Sequence, residues 1–233
     1  AGLMLFGFEW DLSSEWAFAW SILPMLLRGL LVTVQATLLG MAIALVLGLV
    51  LALLKMVPSR LISWPVSFFL EFVRNTPLLV QLYFLYFVLP DYGLILPAFL
   101  TGAVALGIQY SAYTAEVYRA GLQAVDQGQH EAAVAVNLPG WLTFLHVIIP
   151  QAIPRVVPAL GNYLISMLKD TPLLSVVTVL EMMGVATLIG DRTFRYFTPL
   201  TMVGGLFLLL SLVSAWLVRV LERRLPKAGL PLR

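Results

Sequence analysis

The chain has 233 residues, 61% of them hydrophobic and 11% charged, where a soluble domain carries about 25% charged residues. One water-soluble core of this length does not use so many apolar side chains, so the excess must face lipid or other membrane helices. Fourteen Lys and Arg against twelve Asp and Glu leave a net charge of +2, with no basic stripe among aromatics, which excludes a nucleic-acid surface. The absence of cysteine excludes disulfides, a thiolate nucleophile and Cys-ligated metals.

Residues 1–26 carry Glu9, Asp11 and Glu15 and lack the basic start and small-residue cleavage site of a secretory signal. They read as an extracytoplasmic or interfacial segment. Five stretches then approach the roughly 20 apolar residues needed to cross a hydrocarbon core of about 30 Å. They lie near 27–54, 65–89, 98–117, 154–178 and 199–220. The first is overlong, so it is either tilted or preceded by an interfacial turn before Arg28. The second and fourth are interrupted by polar residues and prolines. The expected fold class is an all-α integral membrane protein with five transmembrane helices in one domain over 27–225, followed by a tail at 226–233.

Positive charge near span ends tends to stay on the cytoplasmic side. Lys55, Arg60, Arg119, Arg155, Arg219, Arg223, Arg224, Lys227 and Arg233 fall on one side of the five spans, against Arg192 and Arg195 on the other. This places the N-terminus outside and the C-terminus in the cytoplasm. Residues 118–153 then form a cytoplasmic loop that is too apolar for disorder. Ala120–Gln127 and Glu131–Val136 can form short helices and Pro139 can start another, with Trp141, Phe144 and Leu145 on one apolar face that needs a partner.

An internal echo links spans two and four. Arg74-Asn75-Thr76-Pro77-Leu78-Leu79 recurs as Lys169-Asp170-Thr171-Pro172-Leu173-Leu174. Proline removes a helical hydrogen bond and presses on the carbonyl four residues back, so each echo should break or kink its span. Paired interrupted spans often line a transport site.

The loop also holds Glu131-Ala132-Ala133, then Asn137, Val147 and Ile149-Pro150. This pattern resembles the signature of the permease subunits of bacterial ATP-binding-cassette (ABC) importers, with two departures. Asn137 stands where the family has glycine, and Ile149 where it usually has leucine. Asparagine tolerates the left-handed backbone better than other residues with a Cβ, so the bend of the motif can survive. Ser111-Ala112-Tyr113-Thr114-Ala115-Glu116, Arg119-Ala120-Gly121-Leu122-Gln123-Ala124, Pro150-Gln151-Ala152 and Gly161-Asn162-Tyr163 resemble the polar-amino-acid branch over roughly 28–225. Lys169-Asp170-Thr171-Pro172 and Arg195-Tyr196-Phe197 resemble its permeases for ectoine and hydroxyectoine.

The resemblance implies a type I importer permease in the bacterial inner membrane, not itself an enzyme. Its partners would be a dimer of ABC ATPases binding ATP and Mg, a second permease subunit, identical or homologous, and an extracytoplasmic substrate-binding protein. In that family the loop is a coupling helix that enters a groove on the ATPase. Carried over, Glu131, Ala132, Ala133, Asn137 and Pro150 form the coupling element. The same loop composition also suits an amphipathic helix lying on lipid headgroups.

A charge at mid-bilayer costs about 2.5 to 3.5 kcal/mol on insertion scales unless paired or hydrated. Lys169 lies deeper along its span than Arg74. A pathway lined by Arg74, Asn75, Thr76, Gln81, Asn162, Tyr163, Lys169, Asp170 and Thr171 could complement both ends of a small zwitterion. Two other roles stay open: Lys169 with Asp170, or Arg74 with Glu71, could only brace broken helices, and Asn162 could hydrogen-bond across helices. No carboxylate lies between Pro150 and Asp170, which disfavours a cationic substrate.

His130-Glu131 begins like a zinc-protease helix, but Val134 occupies the second ligand position, so no metal site follows. No phosphate-cradling loop or Gly-x-Ser-x-Gly elbow occurs, so ATP hydrolysis falls to a partner. His130 and His146 take no role. Arg219, Arg223 and Arg224 read as a headgroup anchor, and Glu181 as either pathway-facing or solvated. The rivals are a non-transporting membrane scaffold, a membrane enzyme without a nucleophile constellation, and an ion-driven transporter.

Overall fold

The computed structural model describes residues 3–5, 8–10 and 12–225. Asp11, the side chain of Glu9 and the tail 226–233, with Lys227 and Arg233, lie outside the described residues. Short strands β1 (Leu3–Leu5) and β2 (Phe8–Trp10) pair antiparallel, with Leu3 opposite Trp10. Every later element among the described residues is helical.

Helix α1 covers Leu12–Met56, 45 residues without a break, or roughly 68 Å of helix. Of the two alternatives for this overlong stretch, the interfacial turn before Arg28 is absent. Ile22 and Leu26 are buried in a cluster with Met182, Val185, Ile189 and Val203, so the stretch assigned to an outer segment belongs to the bundle.

The second expected span is broken. Helix α2 (Arg60–Asn75) is followed by α3 (Leu78–Tyr83), a π turn over Phe84–Val88 and a 3-10 turn over Leu89–Tyr92. The axis turns by 104° between Asn75 and Leu78, where Pro77 cannot donate to the ladder and biases Thr76 to its extended ψ of 127°.

Helix α4 (Ala98–Gln123) runs past the expected end of span three. A two-turn helix, α5 (Gln127–Ala135), follows, capped by the Asp126 side chain accepting from the Gly128 amide at 2.7 Å. Helix α6 (Gly140–Thr143) passes through a π turn at Phe144–Ile148 into α7 (Ile149–Asp170), making one helical run to Val177. Trp141, Phe144 and Leu145 therefore begin the fourth span instead of forming a separate surface helix. Phe144 packs inward on Val125, Ile148 and Ala152, while Trp141 and Leu145 stay exposed. The chain closes with α8 (Met182–Thr193) and α9 (Phe197–Arg224).

The second proline echo does not repeat the first. Thr171-Pro172 tightens the helix into a 3-10 turn over Thr171–Val177 without a bend like that at Pro77. Pro172 sits in the first turn of the 3-10 segment, inside a helical run that continues to Val177.

Helices over Ser14–Met56, Gly140–Val177 and Phe197–Arg224 are long and apolar enough to cross a membrane, and the bent pair Arg60–Asn75 with Leu78–Tyr92 passes that test together. Helix α4 is not among them, and its polar residues are packed inside the protein. Thr101, Ser111 and Thr114 on it are fully buried and Gln109 nearly so. Its closest neighbour is α1: a Cβ on Gly107 would fall 2.5 Å from Ile43 Cγ2, and one on Gly48 would fall 2.0 Å from Thr114 Oγ1. Small residues let the two backbones approach, and the Thr114 hydroxyl donates across the seam to the Ala44 carbonyl at 2.8 Å.

Candidate functional site

The candidate residues fall in two regions. In the loop, α5 presents Glu131 and Ala132 outward and turns Ala133 inward, where it is 5% exposed. Glu131 makes no side-chain hydrogen bond or ion pair among the described residues. Val134 and Val136, each 75% exposed, and Trp141 stand uncovered around it. Asn137 adopts φ 56°, the left-handed conformation. Its amide donates to the Val134 carbonyl at 2.9 Å, and the next amide, of Leu138, donates to the Ala133 carbonyl at 2.9 Å. This paired closure is the Schellman ending, usually built on glycine. The bend that the motif needs is therefore present with asparagine. Pro150 is exposed in the first turn of α7.

Beside the loop, the Lys55 ammonium meets Glu116 at 2.5 Å, and Arg119 meets the same carboxylate at 2.7 Å. Arg155 donates to the Ala124 carbonyl, and Gln151 to Gln129 at 3.0 Å. These pairs join the end of α1, the end of α4, α5 and α7. The sequence gives no spacing signal for Lys55 with Glu116, which lie 61 residues apart.

The opposite end has its own charges. Arg195 pairs with Glu15 and lies over the Phe18 ring at 4.8 Å, and Thr198 donates to Glu15. The Tyr196 hydroxyl donates to Asp191 at 2.7 Å, and that hydrogen bond to a carboxylate raises the phenol above its ordinary range.

The second region surrounds the Thr-Pro breaks. Arg74 pairs with Glu71 at 2.5 Å, so that pair forms, one turn apart on α2 and without crossing the break. Asn75 donates to the Glu71 carbonyl at 2.8 Å and Thr76 to that of Phe72 at 2.8 Å. Gln81 folds back over the break, its amide nitrogen 3.1 Å from the carbonyls of Val73 and Thr76. The other bracing pair does not form. Asp170 accepts the Tyr110 hydroxyl at 2.7 Å, and Lys169 is exposed with no ion pair among the described residues. Tyr163 stacks on Tyr113, with centroids 5.4 Å apart. Thr171 is fully buried and donates to the Leu168 carbonyl at 2.8 Å.

Asn162 makes no cross-helix hydrogen bond among the described residues and is exposed, as is Ser166. Asn162, Ser166 and Lys169 recur at i, i+4 and i+7, so they share one face of α7.

Glu181 neither reaches a pathway nor meets solvent. It is fully buried, accepts from the amides of Met183 at 3.0 Å and Gly184 at 2.7 Å, and so caps α8 against Thr33 of α1. The residues that sequence reasoning missed are Gln109, Tyr110 and Tyr113 of α4. Their signal was polar and aromatic side chains inside a span, which local pattern cannot assign to partners.

The family model described as "Binding-protein-dependent transport system inner membrane component" matches residues 44–227. A relative from Sinorhizobium fredii, a probable amino-acid ABC transporter permease protein, is 60% identical over 99% of this chain and 100% of its own length. A probable glutamine ABC transporter permease of Bacillus subtilis is 37% identical over 88% of this chain and 94% of its own. The fold matches a chain in the crystal structure of an amino acid ABC transporter with histidines at TM-score 0.84 and 39% identity, covering 93% of this chain and 99% of that one. The ectoine resemblance finds no counterpart among these. A helical bundle with a broken second span, a short loop helix closed by a left-handed residue and a match over most of the length converge: the chain belongs to the family of inner membrane components of binding-protein-dependent transport systems, the permease subunits of ABC importers.

Proposed function

We propose that this chain carries an amino acid, or a zwitterion like one, across the inner membrane by alternating access, driven by a separate pair of ATPase subunits that bind ATP and Mg. The observation that carries this reading is the face of α7 bearing Asn162, Ser166 and Lys169. These residues are exposed on a membrane-crossing helix and unpaired within the described chain. Lipid cannot cover such a face cheaply, so it borders a hydrated path shared with a second permease subunit, identical or homologous.

Glu131 with its surrounding Val134, Val136 and Trp141 is the surface for the ATPase, on the cytoplasmic side. The distribution of charge supports that side: Lys55, Arg119 and Arg155 gather at the loop end, while Arg195 sits at the other with Glu15. The N-terminus is then outside, where a substrate-binding protein delivers its cargo.

Lys169 offers a carboxylate receptor, and the nearest acid, Asp170, is occupied by Tyr110. A neutral zwitterion such as glutamine fits this set better than a cationic amino acid. The test is ATPase activity and uptake in proteoliposomes holding this chain, its second permease, the ATPase and the binding protein. Glutamine, glutamate, arginine, histidine and ectoine are supplied in turn. Stimulation by one neutral zwitterion supports the reading, and silence toward all of them favours the scaffold. Lys169→Ala is expected to fold normally and to raise the KM for uptake about tenfold, the scale of one charge-assisted hydrogen bond. An unchanged KM removes Lys169 from the path.

A further inference from the structure

We propose that Gln109 and Tyr110, neighbours on α4, are positioning residues for transport: they tie the two Thr-Pro breaks together, so that the broken segments change arrangement as one unit. This rests on the permease reading and goes beyond it, since neither residue belongs to the exposed face.

The tie can be followed atom by atom. Gln81 holds the Val73 and Thr76 carbonyls at the first break and lies 2.5 Å from Gln109 Oε1. Gln109 Nε2 donates to the Tyr113 hydroxyl at 3.4 Å. Tyr113 stacks on Tyr163, and Tyr163 meets the edge of Tyr110 with centroids 6.2 Å apart. Tyr110 donates to Asp170, the residue before Thr171-Pro172. A second strut joins the same segments directly: the Tyr86 hydroxyl lies 3.1 Å from Thr178 Oγ1, and Thr178 is a β-branched residue at φ 65°. Such a residue keeps a left-handed backbone only where its surroundings over-determine it.

Gln109 is 8% exposed and Tyr110 4%. Leucine and phenylalanine would fill these sites without burying polar groups, so apolar packing does not explain the choice. A fully satisfied buried polar chain fixes one arrangement among near-equivalent packings, and here it fixes the relation between two broken helices. Satisfaction is complete, as no buried side-chain N or O among the described residues lacks a partner.

The experiment combines Gln81→Leu and Tyr110→Phe, at opposite ends of the tie, in the assembled complex. The chain has no cysteine, so spin labels on cysteines introduced at Phe72 and Val176, both exposed and off the polar face of α7, report the relation of the two broken spans. Expected are one narrow distance distribution in the parent, a broad one in each variant, and no further broadening in the double variant. Uptake should fall about tenfold in Tyr110→Phe with KM unchanged, and the double variant should fall no further than the more damaged single. Unchanged distance widths overturn the tie even if uptake falls, and so does a double variant whose loss is the product of the singles. Failure of the parent to transport any amino acid tells against the permease reading alone, because the distance widths still decide the tie.

Discussion

Replacing Glu131 with arginine is expected to abolish substrate-stimulated ATP hydrolysis and to cut uptake by about 100-fold, the scale of reversing one charge in a buried protein contact. The stability of the chain should not change, because Glu131 is exposed and its side chain has no hydrogen-bond or ionic partner among the described residues. Coupled transport and thermal melting of the purified complex therefore separate the two roles that this loop could play. Lost coupling with an unchanged melt marks a docking residue. If both activities survive the charge reversal, α5 does not contact the ATPase through Glu131, and the lipid-surface reading of the loop moves ahead.

The second large effect concerns assembly. At Gly48 even a methyl group meets Thr114 Oγ1 at 2.0 Å and the Ser111 carbonyl at 3.0 Å. Gly48→Ala must push α1 and α4 apart and break the Thr114 hydrogen bond to Ala44, leaving that hydroxyl only the Ser111 carbonyl of its own helix. Overpacking costs about 1–3 kcal/mol and the lost hydrogen bond about 0.5–1.5 more. The yield of folded protein and the melting temperature in detergent should both drop sharply. Adding Thr114→Ala removes the closest atom, so the double variant should recover part of the loss. A Gly48→Ala chain that melts like the parent would show that the seam between α1 and α4 does not depend on their close approach at Gly48.

Much of this fold was legible because membrane burial leaves a coarse signal. Long apolar runs marked α1, α7 and α9, and Pro77 marked the break in the second span. The loop motif was readable to single residues, including the left-handed Asn137, because a helix ending is local chemistry. What failed was what depends on distant partners. The start of α1 was misplaced because Ile22 and Leu26 are held by α8 and α9, which no local pattern announces. The two prolines looked alike in sequence, yet Pro77 follows a residue in extended conformation and Pro172 enters a 3-10 turn. Asp170 was placed on the pathway with a pairing to Lys169 left open, whereas its partner Tyr110 lies 60 residues away. Glu181 read as either pathway-facing or solvated, whereas α8 begins on its buried carboxylate.

The polar interior of α4 has a consequence for how the chain is made. A helix whose Gln109 and Thr114 reach partners on other elements, Gln81 and Ala44, while Thr101 and Ser111 turn to nearby carbonyls, gains little by entering lipid alone. Its main partner, α1, leaves the ribosome first, with α2 and α3 emerging between them. Membrane insertion of α4 should thus wait for α1, and the translocating machinery must shelter this span until the earlier one is in place to receive it.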